Sequence, residues 1–428
     1  MGIAEDGSNL AATHDASVRV LDIQSDWQTT EDDSFWVSAT DRPVLLHPDP
    51  VADAARMRAA TSCPSTQHIV TKAAAADDPR RFHIASQSRY GLTIADHEGF
   101  SMPFYTPHAH TSLTAQLYAV QASPDGTFIG VGGADGLFHV LQVPSAQSIQ
   151  LEGHVSDVTH VDFFPSSLVA LTGSTDFSLR IWSLQSFKCG AVLSGHRGAI
   201  RGMGILGRGR NVVSCANDRQ VKVWHCGSGK SFREWTLPST PTCMSVVAGF
   251  HAAAGPRLPR VDDLEFETDG ACFFVGTDEH GVVGLDARMA DPAMTLPSVS
   301  AVSAVHAAAT ASTHMLVVGG DDGSICTYDL RETSTPLYMT SRSNATVHAI
   351  AFIPGNEQGA AWIASGDGSC TRWDALWSSA PVVTGELVGP TYDAVNGVCV
   401  SRHGVSTVSR DRGVRTYTEA SPQSQLTS

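Results

Sequence analysis

Apolar and polar positions alternate in short runs along most of this chain. In "SLRIW" (178–182) and "QVKVW" (220–224) every second side chain shares a face, the period of a half-buried β-strand. Each run follows a turn that holds one acid, Asp176 in "GSTDFSLRIWS" and Asp218 in "SCANDRQVKVWH". The same strand–turn–strand pattern recurs at Asp135, Asp278, Asp322, Asp367 and Asp411, so the acids follow one another at 41, 42, 60, 44, 45 and 44 residues. The long interval contains 249–270, "GFHAAAGPRLPRVDDLEFETDG", a Gly-, Pro- and charge-rich stretch that reads as a loop insertion.

A period of about 40–45 residues is the length of one four-stranded propeller blade. The register inside each repeat is tighter than the period. Six residues after the acid stands an aromatic in five repeats: Trp182, Trp224, Tyr328, Trp373 and Tyr417. Four residues before it stands a hydroxyl in three: Thr172, Ser214 and Thr407. In two repeats a Gly-His pair lies 22 residues upstream, ending in His154 and His196. Gly-His, turn Asp and terminal Trp resemble the WD-repeat propellers. In that family the His, the hydroxyl, the Asp and the Trp indole form one hydrogen-bonded network within a blade. The expected structural network is therefore His154, Thr172, Asp176 and Trp182, then His196, Ser214, Asp218 and Trp224, with Asp322, Asp367, Trp373 and Asp411 at matching positions of later repeats. A buried turn carboxylate must gather donors, and imidazole, hydroxyl and indole groups supply them. Ser, His and Asp together also imitate a hydrolytic triad. No nucleophile elbow surrounds Thr172 or Ser214, and a network repeated in several modules is architecture. The chain is expected not to be an enzyme.

The expected fold is all-β: a seven-bladed WD-repeat propeller over 101–418, with a small β-rich N-terminal domain over 1–100 and a disordered tail at 419–428. The N-terminal strands are "SVRVLDI", "SFWVS" and "RFHIAS". A strand between Tyr90 and Tyr105 is expected to close the ring by completing the last sheet, and His110 to serve the first blade as its network histidine. The blades around Asp135 and Asp278 are degenerate, since Leu141 and Gly284 stand where the aromatic is wanted.

Composition narrows the partners. Asp and Glu outnumber Lys and Arg by 43 to 28, a net charge of −15, which disfavours nucleic acid and anionic membrane and suits a basic protein surface. Nine cysteines stand singly, without a CxxC pair, as in a reducing compartment. The start lacks an apolar signal core and no run of 18 apolar residues occurs, so a soluble intracellular protein is expected. His108 and His110 in "PHAHTS" lack further metal ligands, and no phosphate-binding loop or dinucleotide fingerprint occurs. Neither metal nor cofactor is expected.

A finer resemblance rests on "LEGHVSDVTHVDFFPSSLVALTGSTDFSLRIWS", "SGHRGAIRGMGILGRGRNVVSCANDRQVKVWHCGSG", "SGDGSC" and "ELVGPTYDAVNGVCVSRHGVSTVSRDRGVRTY". These segments resemble the proteasomal ATPase-associated factor family, WD-repeat chaperones of the proteasome regulatory particle. The resemblance implies a cytoplasmic and nuclear assembly factor, a monomer when free, that binds the basic C-terminal domain of one ATPase subunit. Asp157, Arg197, Tyr392 and Asp393, in loops on one rim, are the expected partner contacts. A rival reading rests on "LDAR" (Asp286, Arg288) and "YDLR" (Asp329, Arg331), which resemble the Trp-Asp-x-Arg box of substrate receptors of cullin-based ubiquitin ligases.

Overall fold

The computed structural model describes residues 16–24, 27, 34–48, 53, 66–71, 82–96, 98–143, 145, 147–250, 258–261, 263–279, 281–298, 300–309, 314–332, 335–389 and 393–418. The expected tail at 419–428 lies outside them.

The described strands form seven sheets, each built on four antiparallel strands. We number these blades in chain order: 117–151, 158–194, 200–236, 241–296, 302–341, 347–387 and 395–417, the last completed by one strand from upstream. The first strand of each blade packs against the first strand of the next, and that of blade 7 returns to that of blade 1. A ring without open ends results.

Both faces of every blade are covered, which explains why the middle strands read as continuous apolar runs. Seven apolar clusters fill the seven gaps. Phe138, Val161, Phe163 and Trp182 lie between blades 1 and 2. Leu171, Ile200, Val212 and Trp224 fill the next gap. The series ends with Val131, Leu141, Val408 and Val414 between blades 7 and 1. Leu141 and Phe274, from the two degenerate repeats, are buried in these clusters, so apolar packing stands in for the missing network members there.

All seven inner strands carry a β-bulge at their second residue: Tyr118, Thr159, Arg201, Thr242, Ser303, His348 and Asn396. A bulge re-aims a side chain, and here it aims at the neighbouring blade. Thr159 donates to the Ile200 carbonyl at 3.3 Å, Ser303 to Val347 at 2.7 Å, His348 Nδ1 to Val395 at 3.2 Å and Asn396 to Leu117 at 2.6 Å. Thr242 does the same toward Val302. Each acceptor is the first residue of the next inner strand. Five of the seven junctions are thus clasped around the channel mouth by one repeated hydrogen bond.

Two expectations fail in the N-terminal region. The closing strand is Ala109–Ser112, pairing with Gly413–Tyr417, and not the stretch between Tyr90 and Tyr105. That stretch instead supplies Ser101–Tyr105, which lies parallel to the outer strand of blade 6. The N-terminal strands also do not stand apart as a small domain. Ala16–Ile23, Ser34–Leu46 and Thr66–Thr71 extend blade 5 through Leu45 and Leu46, while Phe82–Ser88, Gly91–Asp96 and Ser101–Tyr105 extend blade 6. Val18, Val20, Phe35, Ile94 and Phe104 join Tyr338, Trp373 and Val383 in one core. The physical reason is edge protection: two outer strands that would expose unpaired backbone are covered.

Candidate functional site

The sequence motifs converge on one rim of the ring. In every blade one backbone N–H of the acid turn donates to the residue just before the inner strand; it belongs to the residue preceding the acid in six blades and to Asp278 itself in blade 4. The pairs are Ala134 to Gln116, Thr175 to Asp157, Asn217 to Ala199, Asp278 to Thr240, Asp321 to Ala301, Gly366 to Thr346 and Arg410 to Ala394, all between 2.8 and 3.1 Å. The acid turns and the loops entering the inner strands therefore form a single surface, which includes Asp157, Arg197 and Asp393. Tyr392 lies outside the described residues.

Blades 2 and 3 carry complete buried networks. His154 Nδ1 lies 2.8 Å from Asp176, its Nε2 2.8 Å from Thr172 Oγ1, and Trp182 Nε1 donates to that same oxygen at 2.8 Å. In blade 3, His196 Nδ1 lies 3.0 Å from Asp218, its Nε2 2.8 Å from Ser214 Oγ, and Trp224 Nε1 2.8 Å from that hydroxyl. Burial pushes both imidazoles below their ordinary pKa, against the pull of the neighbouring carboxylate, so each ring is neutral at physiological pH. One tautomer then satisfies every atom: indole N–H to hydroxyl oxygen, hydroxyl O–H to Nε2, Nδ1–H to carboxylate. Burial raises Asp176, but hydrogen bonds from Ser178 and His154 outweigh it and hold the acid below its usual value.

This connectivity matches a nucleophilic triad, yet it cannot act as one. Thr172 and Ser214 are fully buried, and the indole N–H occupies the hydroxyl oxygen that would attack. No substrate atom reaches it.

The remaining turn acids use other donors. Asp135 is held by His139 of its own blade, Nε2 to Oδ2 at 3.1 Å, which corrects the assignment of His110. His110 lies on the closing strand opposite Arg415. Asp322 accepts from Ser300 Oγ at 2.8 Å, and Asp367 from Ser343 Oγ at 2.7 Å and Arg342 at 3.2 Å. Asp411 is held to a pKa of about 2 because hydrogen bonds from Arg415 and the Gly413 N–H outweigh the opposing effect of burial. Trp373 bonds Thr371 of its own strand at 3.0 Å instead of a neighbour's hydroxyl. Sequence offsets found the acids and missed these donors, because their positions differ from blade to blade.

The charges that form no ion pair among the described residues divide the rim, although Asp278 accepts the Thr240 N–H at 3.0 Å and Asp321 the Thr346 hydroxyl at 2.8 Å. Asp278, Glu279 and Asp321 are exposed on blades 4 and 5, and Asp157 and Asp393 are half-buried near the channel mouth. Arg197, Arg201 and Arg219 are exposed on blade 3. The two arginines of the ligase-box reading stand elsewhere. Arg288 is engaged within the chain, its Nη2 donating to the Leu258 carbonyl at 3.1 Å and its Nε 3.3 Å from Glu265, while Arg331 pairs with its neighbour Asp329. Among the described residues no cluster of His, Cys, Asp and Glu is arranged to hold a metal ion.

A family model, the WD domain or G-beta repeat, matches residues 146–183 and 187–225, the segments with the two imidazole networks. The chain is 22% identical over 301 residues to the p21-activated protein kinase-interacting protein 1-like of Danio rerio, covering 70% of this chain and 73% of that protein. It is 25% identical over 192 residues to the 26S proteasome regulatory subunit RPN14 of Saccharomyces cerevisiae, covering 44% of this chain and 46% of the relative. The likeness to apoptotic protease-activating factor 1 of Danio rerio is 29% over 125 residues, 28% of this chain and 10% of that protein. With these repeats and sheets that close on one another, the chain is an all-β WD-repeat propeller.

Proposed function

We propose that this protein is a non-catalytic scaffold, a seven-bladed ring that uses its rim to hold an ATPase subunit of the proteasome regulatory-particle base by its basic C-terminal domain during assembly. The observation that carries the reading is a set of carboxylates that form no ion pair among the described residues: Asp157, Asp278, Glu279, Asp321 and Asp393 on one surface. Such a row steers a basic partner into encounter and loses that pull as salt rises. The net charge of −15 works in the same direction. Similarity to RPN14 supports the proteasomal identity of the partner; the proposed role is cytoplasmic and nuclear. The engagement of Arg288 with Glu265 and Leu258 favours this reading over ligase docking, because that guanidinium is already held inside the chain.

The test is binding of the full chain to the purified C-terminal domain of each base ATPase in turn. One domain is expected to bind, with affinity falling as salt rises. Asp157→Lys combined with Asp393→Lys should weaken it by about tenfold or more, with the thermal melt lowered only by the loss of the Asp157–Tyr118 hydrogen bond. Failure of every domain to bind, or full binding by the double variant, overturns the reading.

A further inference from the structure

The sector next to these acids on the same rim, blades 2 and 3, has a different chemistry. Blades 2 and 3 present two equivalent stations: the residue after the network histidine and the residue after the turn acid. In blade 2 these are Val155 and Phe177, brought together by the Val155 N–H, which donates to Asp176 at 3.2 Å. In blade 3 they are Arg197 and Arg219, joined in the same way through Asp218 at 2.8 Å. Val155 is 87% exposed and Phe177 46%; Leu168, Val192 and Val382 are the other large apolar side chains of the blades that are exposed among the described residues, and none of them stands at these stations.

Phe177 also sits in a conformation that does not suit it. Its φ is 70°, and the matching residues of blades 1, 5 and 6 are Gly136, Gly323 and Gly368 with φ of 72°, 81° and 89°. A bulky residue in the left-handed region costs about 1–2 kcal/mol, and such strain gathers at functional surfaces. Solvent exposure of the ring offsets none of that cost. Arg219 occupies the same region with φ of 63°.

The arginines are free of carboxylates. Arg197 and Arg219 form no ion pair among the described residues, and Arg201 donates only to the Asn217 amide oxygen at 2.8 Å. The nearby turn acids are committed to His154 and His196. Asp157 is turned onto the Tyr118 hydroxyl, which burial first and this carboxylate second push upward in pKa. Glu152 is the exposed acid on the flank. In a chain with only 28 Lys and Arg against 43 acids, three exposed cations beside an exposed apolar pair form a distinct surface.

We propose that this sector, Val155, Phe177, Arg197, Arg201 and Arg219, docks an acidic protein segment that presents an aliphatic or aromatic side chain between carboxylates. The apolar pair receives the side chain, and the guanidinium groups receive the flanking acids, for which their planar donor forks are suited. A basic segment is repelled. The proposal does not depend on the ATPase reading, whose acids lie on other blades or at the channel mouth.

Selection of a random peptide library on the immobilised full chain tests it. The enriched peptides should carry Asp or Glu on both sides of an aliphatic or aromatic residue. Arg197→Glu with Arg219→Glu should weaken them by about tenfold or more, most strongly at low salt. Val155→Ser with Phe177→Gly should weaken them comparably while the thermal melt holds or rises, since glycine serves this turn position in three other blades. Enrichment of basic or uncharged peptides, no enrichment at all, or parent-level binding by either double variant overturns the proposal. So does loss of binding on Asp157→Lys with Asp393→Lys alone, which would assign the peptides to the acidic sector.

Discussion

Blades 2 and 6 solve one problem with different chemistry. Each must bury a turn carboxylate. Blade 2 meets Asp176 with a neutral imidazole, a hydroxyl and an indole in series. Blade 6 meets Asp367 with Arg342, whose guanidinium also binds Glu386 at 3.1 Å and Asp22 of the first N-terminal strand. The first solution is charge-neutral apart from the acid and local to one blade. The second sets one cation against three acids and couples blade 6 to a strand more than 300 residues upstream. The carboxylate is the fixed requirement of the turn, and its donors are interchangeable provided that they are complete.

The largest expected effect comes from breaking the second solution. Arg342→Ala leaves Glu386 and Asp367 in a largely buried site with no cation and should cost about 3–5 kcal/mol, read as a shift in the denaturant midpoint. Burial drives Glu386 up to about 7 although Arg342 opposes it, and Asp22 and Asp367 add to the rise. A carboxyl raised in the folded state contributes stability that is fully present below its unfolded value and is lost as pH rises through 7. Glu386→Gln should therefore gain stability relative to the parent between pH 5 and pH 8. A midpoint difference independent of pH would mean that Glu386 stays ionised beside Arg342.

Breaking the first solution costs less. His154→Ala leaves the Thr172 hydroxyl and one Asp176 lone pair unmatched, a loss of about 1–3 kcal/mol, and His196→Ala should behave alike in blade 3. The two solutions also separate on acidification. Burial holds His154 and His196 below 6.5 in the folded state, whereas the unfolded chain takes up protons near 6.5. Their contribution is whole above that pH and disappears as pH falls through the folded values. The Asp411–Arg415 pair, with the acid held at about 2, stays intact until far lower pH. Melting of the parent should fall between pH 6.5 and 5, and His154→Phe with His196→Phe should flatten that slope while lowering stability throughout. An unchanged slope would show that other groups govern the acid limb.

The same comparison explains what the sequence made legible. Asp176 with Trp182, and Asp218 with Trp224, stand at fixed offsets because the turn and the strand after it form one local unit. The blades and their period could be read from them. Arg342, Arg415 and His139 were missed as donors because any side chain that reaches the turn will serve, so their spacing is not fixed. The bulged residues around the channel show a similar disguise: Thr159, Thr242, Ser303, His348 and Asn396 share a donor role and no residue type. The N-terminal strands were hidden for a different reason. Leu45 pairs with Met339, and Glu386 with Phe104, at separations over which alternation carries no pairing information. For His110 an upstream position suggested a network partner, while the chain used it as part of the closing strand.

The smallest expected effect concerns the residue after the turn acid, and it separates blades 5 and 7. Gly323 of blade 5 is irreplaceable: a Cβ there would lie 2.1 Å from the Ser343 carbonyl oxygen, so Gly323→Ala forces backbone movement in addition to the left-handed strain. Blade 7 carries Arg412 at the equivalent place with φ of 69°, exposed to solvent, so its turn has room for a side chain. Arg412→Gly removes about 1–2 kcal/mol of left-handed strain, against about 0.5–1 kcal/mol of extra chain entropy that glycine brings to the unfolded state. Those terms oppose each other, and strain relief wins by roughly half a kcal/mol, a rise of about one degree in the melt for a chain of this length. A fall in the melt would mean that the Arg412 side chain makes a stabilising contact on the rim.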